Sequence, residues 1–194
     1  MAPRKRASES YVALLRGVTP TNAKMSELTR AFEEAGFTGV KTVLASGNVV
    51  FDTPDPAADL PARAERAMSL ALGRSFRVMV RSLASLRALL AADPFPAHGV
   101  GPDARRVVTF LREPPRPAPA LPVSRSGARV LALRGSEAFT TYDPGEGPVF
   151  MKLIEDTFGD DVTTRTWGTL QKIVATRDGS GSVSPARARA SRGR

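Results

Sequence analysis

Six residues near the start of the sequence combine groups that suit the binding of an anion. A guanidinium and an ammonium carry positive charge, a hydroxyl donates a hydrogen bond, and the first turn of a helix offers N–H groups that lack partners. If folding brings these groups together, the protein is expected to bind a small ligand that bears phosphate or carboxylate. We call the six residues the edge site: Arg16, Gly17, Lys24, Ser46, Gly47 and Asn48.

The elements predicted around the edge site place its residues at one edge of a sheet. Residues 11–15 are an apolar run typical of a buried strand, and residues 40–45 and 49–52 are β-rich segments separated by a Ser-Gly-Asn turn. In a split βαβ unit the end of the first strand, the start of the first helix and the turn after the second strand share one edge. Two simpler explanations stay open. The glycine and asparagine could serve only the turn, and the arginine could pair with a carboxylate.

The strand and helix signals form an order that occurs twice along the chain. A helix at residues 58–72 and an alternating strand at residues 76–80 complete a first β-α-β-β-α-β series. The same order returns more weakly after residue 105, where prolines at residues 114–122 oppose a long helix. We therefore predict an α+β fold of two ferredoxin-like (β-α-β-β-α-β) halves packed together, followed by a C-terminal helix and a disordered basic tail.

These predictions divide the chain into five segments. Ser82 is expected to cap a helix that connects the two halves. The last segment consists mostly of Arg, Gly, Ser and Ala, and such a composition cannot bury a core. The segments are a disordered N-terminus (1–10), the first half (11–82), a linking helix and loop (83–104), the second half with the terminal helix (105–176) and the disordered Arg-rich tail (177–194).

The net charge of +9 lies mostly at the two ends of the chain. A basic tail either keeps the protein soluble or holds nucleic acid weakly and without sequence preference. Nucleic-acid association through the tail and a sheet face is therefore the alternative function. Against it, only 6% of the residues are aromatic, and no run of aromatic residues suited to stacking bases is visible.

A second candidate group consists of Arg165, Trp167 and Lys172. The indole could stack on a base or another ring while the two cations hold phosphate. The competing explanation is structural, with Thr166 capping the last helix and Trp167 packing into the body of the protein.

The second half contains a weaker version of the edge site. It consists of Arg112 together with the turn residues Arg134, Gly135 and Ser136. Arg81 does not belong to the edge site, because the topology sends the end of its strand to the opposite edge of the sheet. We expect Arg81 to form a surface or interdomain ion pair.

Several kinds of chemistry have no support in the sequence. There is no cysteine, and His98, the one histidine, lies in a Pro/Gly loop without a nucleophile motif. The acidic residues near 155–161 lack the spacing of a metal-binding loop and indicate a solvated helix end. We therefore expect no metal and no cofactor. Whether the protein is an enzyme stays open, as a third hypothesis, because a general base would have to be Asp or Glu, for example Asp52 or Glu27.

The chain also contains no apolar run near the roughly 20 residues that span a bilayer. We expect a cytoplasmic protein without membrane contact, and the sequence does not indicate an oligomeric state.

Four stretches of the sequence together resemble a known bacterial family. They lie at residues 11–17 (Tyr-Val-Ala-Leu-Leu-Arg-Gly), 24–28, 46–51 (Ser-Gly-Asn-Val-Val-Phe) and 163–167. From residue 11 to about residue 175 the chain resembles the domain-of-unknown-function 1697 family. It departs from the family pattern at residues 18–22, where the family has a glycine-rich stretch, and at Thr166 and Gly168, where the family has asparagines. The resemblance implies an uncharacterised cytosolic bacterial protein and supplies no activity.

Overall fold

A computed structural model describes residues 7–74 and 76–178 of the chain. Within these residues the fold is α+β, with two antiparallel sheets and five α-helices. The strands are β1 (Glu9–Leu15), β2 (Thr38–Thr42), β3 (Asn48–Thr53), β4 (Val78–Ser82), β5 (Arg106–Leu111), β6 (Val123–Arg125), β7 (Ala128–Arg134), β8 (Glu137–Tyr142) and β9 (Val162–Thr166). The helices are α1 (Met25–Glu34), α2 (Leu60–Leu72), α3 (Leu83–Ala92), α4 (Gly147–Phe158) and α5 (Trp167–Ala175).

The first sheet has the strand order β2-β3-β1-β4, and its strands alternate with α1 and α2 in the order β-α-β-β-α-β. Strand β1 lies in the interior of this sheet because it is apolar on both faces. Val12 and Leu14 point to one buried cluster, while Tyr11, Ala13 and Leu15 point to another that includes α1 and α2. A strand that is buried on both faces reads as a continuous apolar run, which is how β1 appears in the sequence.

The second sheet has the order β6-β7-β8-β5-β9 and departs from the predicted series. Where a repeated β-α-β-β-α-β order requires its first helix, the chain instead forms a short strand, β6, which pairs with β7. The prolines at residues 114–122 account for this difference, because proline removes helix hydrogen bonds and clashes with the preceding turn. A second complete series is therefore not present in the described residues.

The two sheets share a buried core with α3 and α5. Ser82 and Thr166 cap these helices by accepting hydrogen bonds from the N–H groups of Ser85 and Thr169. Members of the core come from both sheets and both helices: Val12, Leu14, Val50, Leu83, Leu86, Val108, Phe110, Phe139, Trp167, Leu170, Ile173 and Val174. Each large apolar side chain buried in this way contributes about 1.5–3 kcal/mol to folding, so the halves stabilise one another.

The body of the protein extends beyond both predicted boundaries. Strand β1 begins at Glu9, inside the segment that we expected to be disordered. At the other end, Arg177 pairs with Asp52 at 2.9 Å, and Asp178 accepts a hydrogen bond from Arg87 at 2.5 Å. The remainder of the predicted tail lies outside the described residues.

No helix among the described residues has the length and apolar character needed to cross a bilayer.

Ion pairs join the two halves along the margin of the shared core. Arg77 of the first half donates to Asp160 at 3.2 Å, and Arg112 of the second half donates to Asp161 and to Glu65 at 2.8 and 3.1 Å. Asp160 and Asp161 keep contact with solvent, as expected for a solvated acidic helix end, while they pair with arginines of the opposite half or of a neighbouring strand. The hydrogen bond from Arg77 lowers the pKa of Asp160 below its ordinary value of 3.8.

The lowered pKa of Asp160 predicts a contribution to acid stability. A carboxylate with a depressed pKa in the folded protein stabilises the fold above its ordinary pKa, and that contribution is lost as the pH falls through the lowered value. We expect Asp160→Asn to reduce the dependence of the free energy of unfolding on pH below about pH 4, measured by urea denaturation at a series of pH values. Asp103→Asn is the control, because Asp103 is exposed. An equal reduction in the two variants would contradict the prediction.

Candidate functional site

The end of β1 and the turn between β2 and β3 lie directly against each other. The N–H of Leu15 donates to the carbonyl oxygen of Gly47 at 2.8 Å, which continues the pairing of Leu14 with Asn48 in the sheet. Arg16 is the next residue of the chain, and its backbone N–H donates to the carbonyl oxygen of Arg77 at 2.9 Å. The backbone of the first loop and that of the turn thus meet at one edge.

Within the turn, Gly47 and Asn48 are both required by their surroundings. Gly47 has φ +71°, and a Cβ at this position would stand 2.8 Å from the Cβ of Val18 and 3.0 Å from that of Leu15. Asn48 is fully buried, and its amide nitrogen donates to the carbonyl oxygen of Val43 and to the hydroxyl of Ser46. Ser46 itself is exposed. The turn is therefore rigid at its base and accessible at its tip.

The two cations of the edge site have different surroundings. The Arg16 guanidinium donates to the carbonyl oxygen of Val162 at 2.6 Å and to the carboxylate of Glu155 at 2.7 Å. Both members of this ion pair keep contact with solvent, with 28% and 41% of their side chains exposed. Lys24 precedes α1 and is exposed, and its backbone N–H donates to the Glu27 carboxylate at 3.1 Å. In the part of the chain that the structure describes, no hydrogen bond or ion pair joins the Lys24 side chain to the rest of the edge site.

Arg165 lies at the centre of this edge, although its place in the sequence suggested a group with Trp167 and Lys172. Its side chain crosses from β9 to the first half and is buried, with 8% of the residue exposed. One terminal nitrogen donates to three carbonyl oxygens, those of Leu15 at 2.8 Å and of Ser46 and Gly47 at 3.2 Å. The Nε atom donates to the side-chain oxygen of Asn48, and the other terminal nitrogen donates to Thr163 and Thr164 of β9.

All of these partners are neutral oxygens. Among the described residues no carboxylate forms an ion pair with Arg165, and burial lowers its pKa to about 10. At neutral pH the side chain therefore remains charged inside the protein without a counter-charge. A buried cation of this kind is costly unless it is fully hydrogen-bonded, as Arg165 is.

Arg81 of β4 occupies the reciprocal position in the other half. It donates to the carbonyl oxygen of Leu111 at 2.7 Å and to the hydroxyl of Ser136 at 2.9 Å, and the N–H of Leu111 donates to the carbonyl oxygen of Ser136 at 2.8 Å. Each arginine thus holds the end of the other half's central strand and the following hairpin. The difference is that Arg81 also pairs with the carboxylate of Glu137, at 2.5 Å, as the interdomain ion pair that we expected.

Glu137 and Asn48 occupy equivalent positions in these two arrangements. Asn48 lies opposite Leu14 at the end of β1, and Glu137 lies opposite Phe110 near the end of β5. The second hairpin therefore supplies a carboxylate to its arginine, whereas the first supplies an amide. Of these two arginines, Arg165 therefore lacks a carboxylate partner among the described residues, whereas Arg81 has one.

The side chains of the second candidate group are mostly part of the core. Trp167 is 6% exposed, and its ring meets that of Phe95 edge to face with centroids 5.2 Å apart. Arg106 lies over the indole at 5.3 Å, so an aromatic ligand has no face on which to stack. Thr166 caps α5 as the structural alternative predicted, and Lys172 lies exposed on the last turn of that helix.

The described residues contain no group of three or more His, Asp or Glu side chains that could hold a metal ion. Asp52 and Glu27, the two carboxylates considered as general bases, have different partners. Asp52 pairs with Arg177 and accepts from Ser10, and Glu27 caps the first turn of α1.

This arrangement of two sheets occurs in another protein of known structure. The fold is similar to that of a conserved bacterial protein from Streptococcus pneumoniae, with a TM-score of 0.66 and 21% sequence identity. The match covers 88% of this chain and 98% of that protein. It places the chain among α+β proteins with two antiparallel sheets, and at this identity the likeness concerns the fold alone.

The chain belongs to the family described as protein of unknown function (DUF1697), which it matches over residues 9–139. This confirms the family that the four sequence stretches indicated. The matched range contains the whole edge site and ends before β9, so Arg165 lies outside it. No curated protein matches the sequence.

The contacts of Arg165 predict a strong effect on stability when its donors are removed. Arg165→Met keeps the length of the side chain but leaves the Leu15 carbonyl and the Asn48 side-chain oxygen without a donor. We expect the free energy of unfolding to fall by about 3 kcal/mol, measured by urea denaturation. The control Arg129→Met, at an exposed arginine of β7, should change it by less than about 0.5 kcal/mol. A similar small change for Arg165→Met would show that the buried guanidinium does not hold the edge.

Proposed function

We propose that the protein binds a small ligand bearing phosphate or carboxylate at the edge site. The observation that carries this proposal is the buried, uncompensated charge of Arg165 beneath the loop and the turn. At an effective dielectric constant of about 20, an anion about 8 Å from a guanidinium gains about 2 kcal/mol. An anionic ligand would supply the counter-charge that Glu137 supplies to Arg81.

The ligand would not contact Arg165 itself, because all of its nitrogens already donate to protein oxygens. The accessible donors are the hydroxyl of Ser46 and the ammonium of Lys24, both exposed. Arg165 would therefore act by its charge and by holding the turn in place. This division of roles favours a ligand with a compact anionic group that the loop can reach.

Arg16 would exchange partners when the ligand binds. Its carboxylate partner, Glu155, is a competitor for the same guanidinium, and the pair is partly solvated. Exposed ion pairs of this kind contribute about 0–1 kcal/mol to stability, so a phosphate or carboxylate of the ligand could replace Glu155 at little cost. The exchange would also release Glu155 of α4 from the first loop.

We also propose that both halves follow one ferredoxin-like plan. Support comes from the order β2-β3-β1-β4 in the first sheet and the order β7-β8-β5-β9 within the second. Arg81 and Arg165 give further support, because they occupy corresponding positions near the ends of β4 and β9. Each is followed directly by a residue whose hydroxyl caps the next helix, Ser82 for α3 and Thr166 for α5.

The alternatives have less support from the described residues. Nucleic-acid association would use the tail, which lies mostly outside them, and the indole of Trp167 is buried. An enzyme with an Asp or Glu base would need two carboxylates that face each other, whereas Asp52 and Glu27 have separate partners.

Two variants that break the same ion pair test the proposal in opposite directions. Inorganic phosphate should raise the melting temperature of the wild-type protein more than chloride of equal ionic strength does. We expect Arg16→Ala to abolish this rise because it removes a donor, and Glu155→Gln to increase it because it releases Arg16. Without phosphate, Arg16→Ala should unfold at a lower temperature than Glu155→Gln, because it also loses the hydrogen bond to the Val162 carbonyl oxygen, so each response to phosphate is measured from the variant's own melting temperature.

The comparison separates binding from a general salt effect. Phosphate stabilises many proteins because it is excluded from their surfaces, and such an effect would be equal in the two variants. Equal responses, or no phosphate response in the wild-type protein, would contradict the proposal.

The role of the buried charge is tested at Asn48. Asn48→Asp places a carboxylate beside Arg165, as Glu137 stands beside Arg81, and should weaken phosphate binding by about tenfold or more. Asn48→Ala removes the same two N–H donations to Val43 and Ser46, and also the acceptor of Arg165, without adding charge, and serves as the uncharged control. If both variants weaken phosphate binding equally in thermal titrations, the charge of Arg165 is not what attracts the anion.

A further inference from the structure

A cleft between α3 and the β7–β8 hairpin forms a second site of a different chemical character. Its volume is about 460 Å³, within the range of small-molecule pockets. Apolar side chains of α3 form one wall and Phe139 of β8 contributes to the other. We call this space the α3 cleft, and its lining residues are Arg81, Ser85, Leu86, Ala88, Leu89, Ala92, Arg134, Ser136, Glu137 and Phe139.

The polar side of the α3 cleft is preorganised by the reciprocal arginine. Arg81 is held between the carbonyl oxygen of Leu111, the hydroxyl of Ser136 and the carboxylate of Glu137. Because Arg81 and Glu137 neutralise each other, this side of the cleft presents hydrogen-bonding groups without net charge. A ligand would meet a fixed surface there.

Arg134 gives the cleft its net positive charge. It is exposed, lies over the ring of Phe139 with 5.7 Å between the guanidinium carbon and the ring centroid, and takes part in no ion pair among the described residues. A guanidinium beside an aromatic ring at the rim of an apolar cleft suits a ligand whose acidic group follows an apolar body.

We propose that the α3 cleft binds a small amphipathic carboxylate, with its apolar part along α3 and its carboxylate on Arg134. The accessible apolar members of the lining, Ala88, Leu89 and Ala92 of α3, would contact the apolar part. The cleft shares no residue with the edge site, so the two sites can be occupied independently. A hydrophilic anion such as phosphate would gain nothing from the apolar wall, which distinguishes the ligands of the two sites.

Octanoate and 1-octanol, which have chains of equal length, serve as probes for the full-length protein. We expect octanoate to bind saturably and to shift the amide NMR signals of Ser85, Leu89 and Ser136 more than those of the edge site. Octanol should bind at the same place with lower affinity because it lacks the charge. A shift pattern centred elsewhere, or a response that does not saturate, would overturn the proposal.

Three variants identify the contacts. Arg134→Ala should weaken octanoate binding by about tenfold and leave octanol binding unchanged. Ala88→Trp, at an exposed position of the lining, should fill the cleft and abolish binding of both probes. The control Arg129→Ala, an exposed arginine of the same strand as Arg134, should affect neither. Equal losses of octanoate affinity in the two arginine variants would mean that only the general positive charge of the protein is involved.

Discussion

The guanidinium of Arg165 is the interaction on which the arrangement of the two halves depends. It reaches from β9 to the carbonyl oxygens of Leu15, Ser46 and Gly47 and to the side chain of Asn48, so that one side chain fixes the strand end and the turn that form the edge site. Because these acceptors are mostly backbone carbonyls, which are fixed by the sheet and its turn, Arg165 can bind them only when β9 lies at the right place beside the first sheet. The cost of burying the charge, which appears as a pKa lowered to about 10, is offset only while the two halves are docked in this register.

The reciprocal arrangement around Arg81 shows how one plan can yield two different surfaces. Both arginines bind the end of a central strand and the next hairpin, yet Glu137 neutralises Arg81 while Asn48 leaves Arg165 charged. A single difference between an amide and a carboxylate thus leaves the buried arginine at the first edge without a carboxylate partner. In the second half the neutralised pair forms the polar side of a cleft whose other side is apolar, and the net charge resides on Arg134.

Local patterns in the sequence were sufficient for the elements and for the family. The apolar run that became β1, the Ser-Gly-Asn turn, and the hydroxyl caps at Ser82 and Thr166 each depend on neighbours within a few residues, which is why they could be read directly. The sequence did not predict β6, which stands where a repeat of the first half would have a helix, nor did it predict that the acidic residues at the end of α4 pair with arginines of the other half. The sequence does contain a pattern that relates Arg165 to Arg81. The same pattern of residue types occurs at residues 81–85 and at residues 165–169. In both, an arginine is followed by a hydroxyl residue and then by a large apolar residue, and a second hydroxyl residue stands at the fifth position, where it takes part in the helix cap.

The sequence by itself determined most of the strands and helices, the chemical groups that stand near the start of the chain, and the family to which the chain belongs. Only the tertiary structure decided which arginine serves the edge site, because the acceptors of Arg165 are carbonyls and an amide that lie 117 to 150 residues earlier in the chain. Every residue carries a carbonyl oxygen, so no residue type marks the few that a buried guanidinium will meet. Their selection is a consequence of how the two sheets dock.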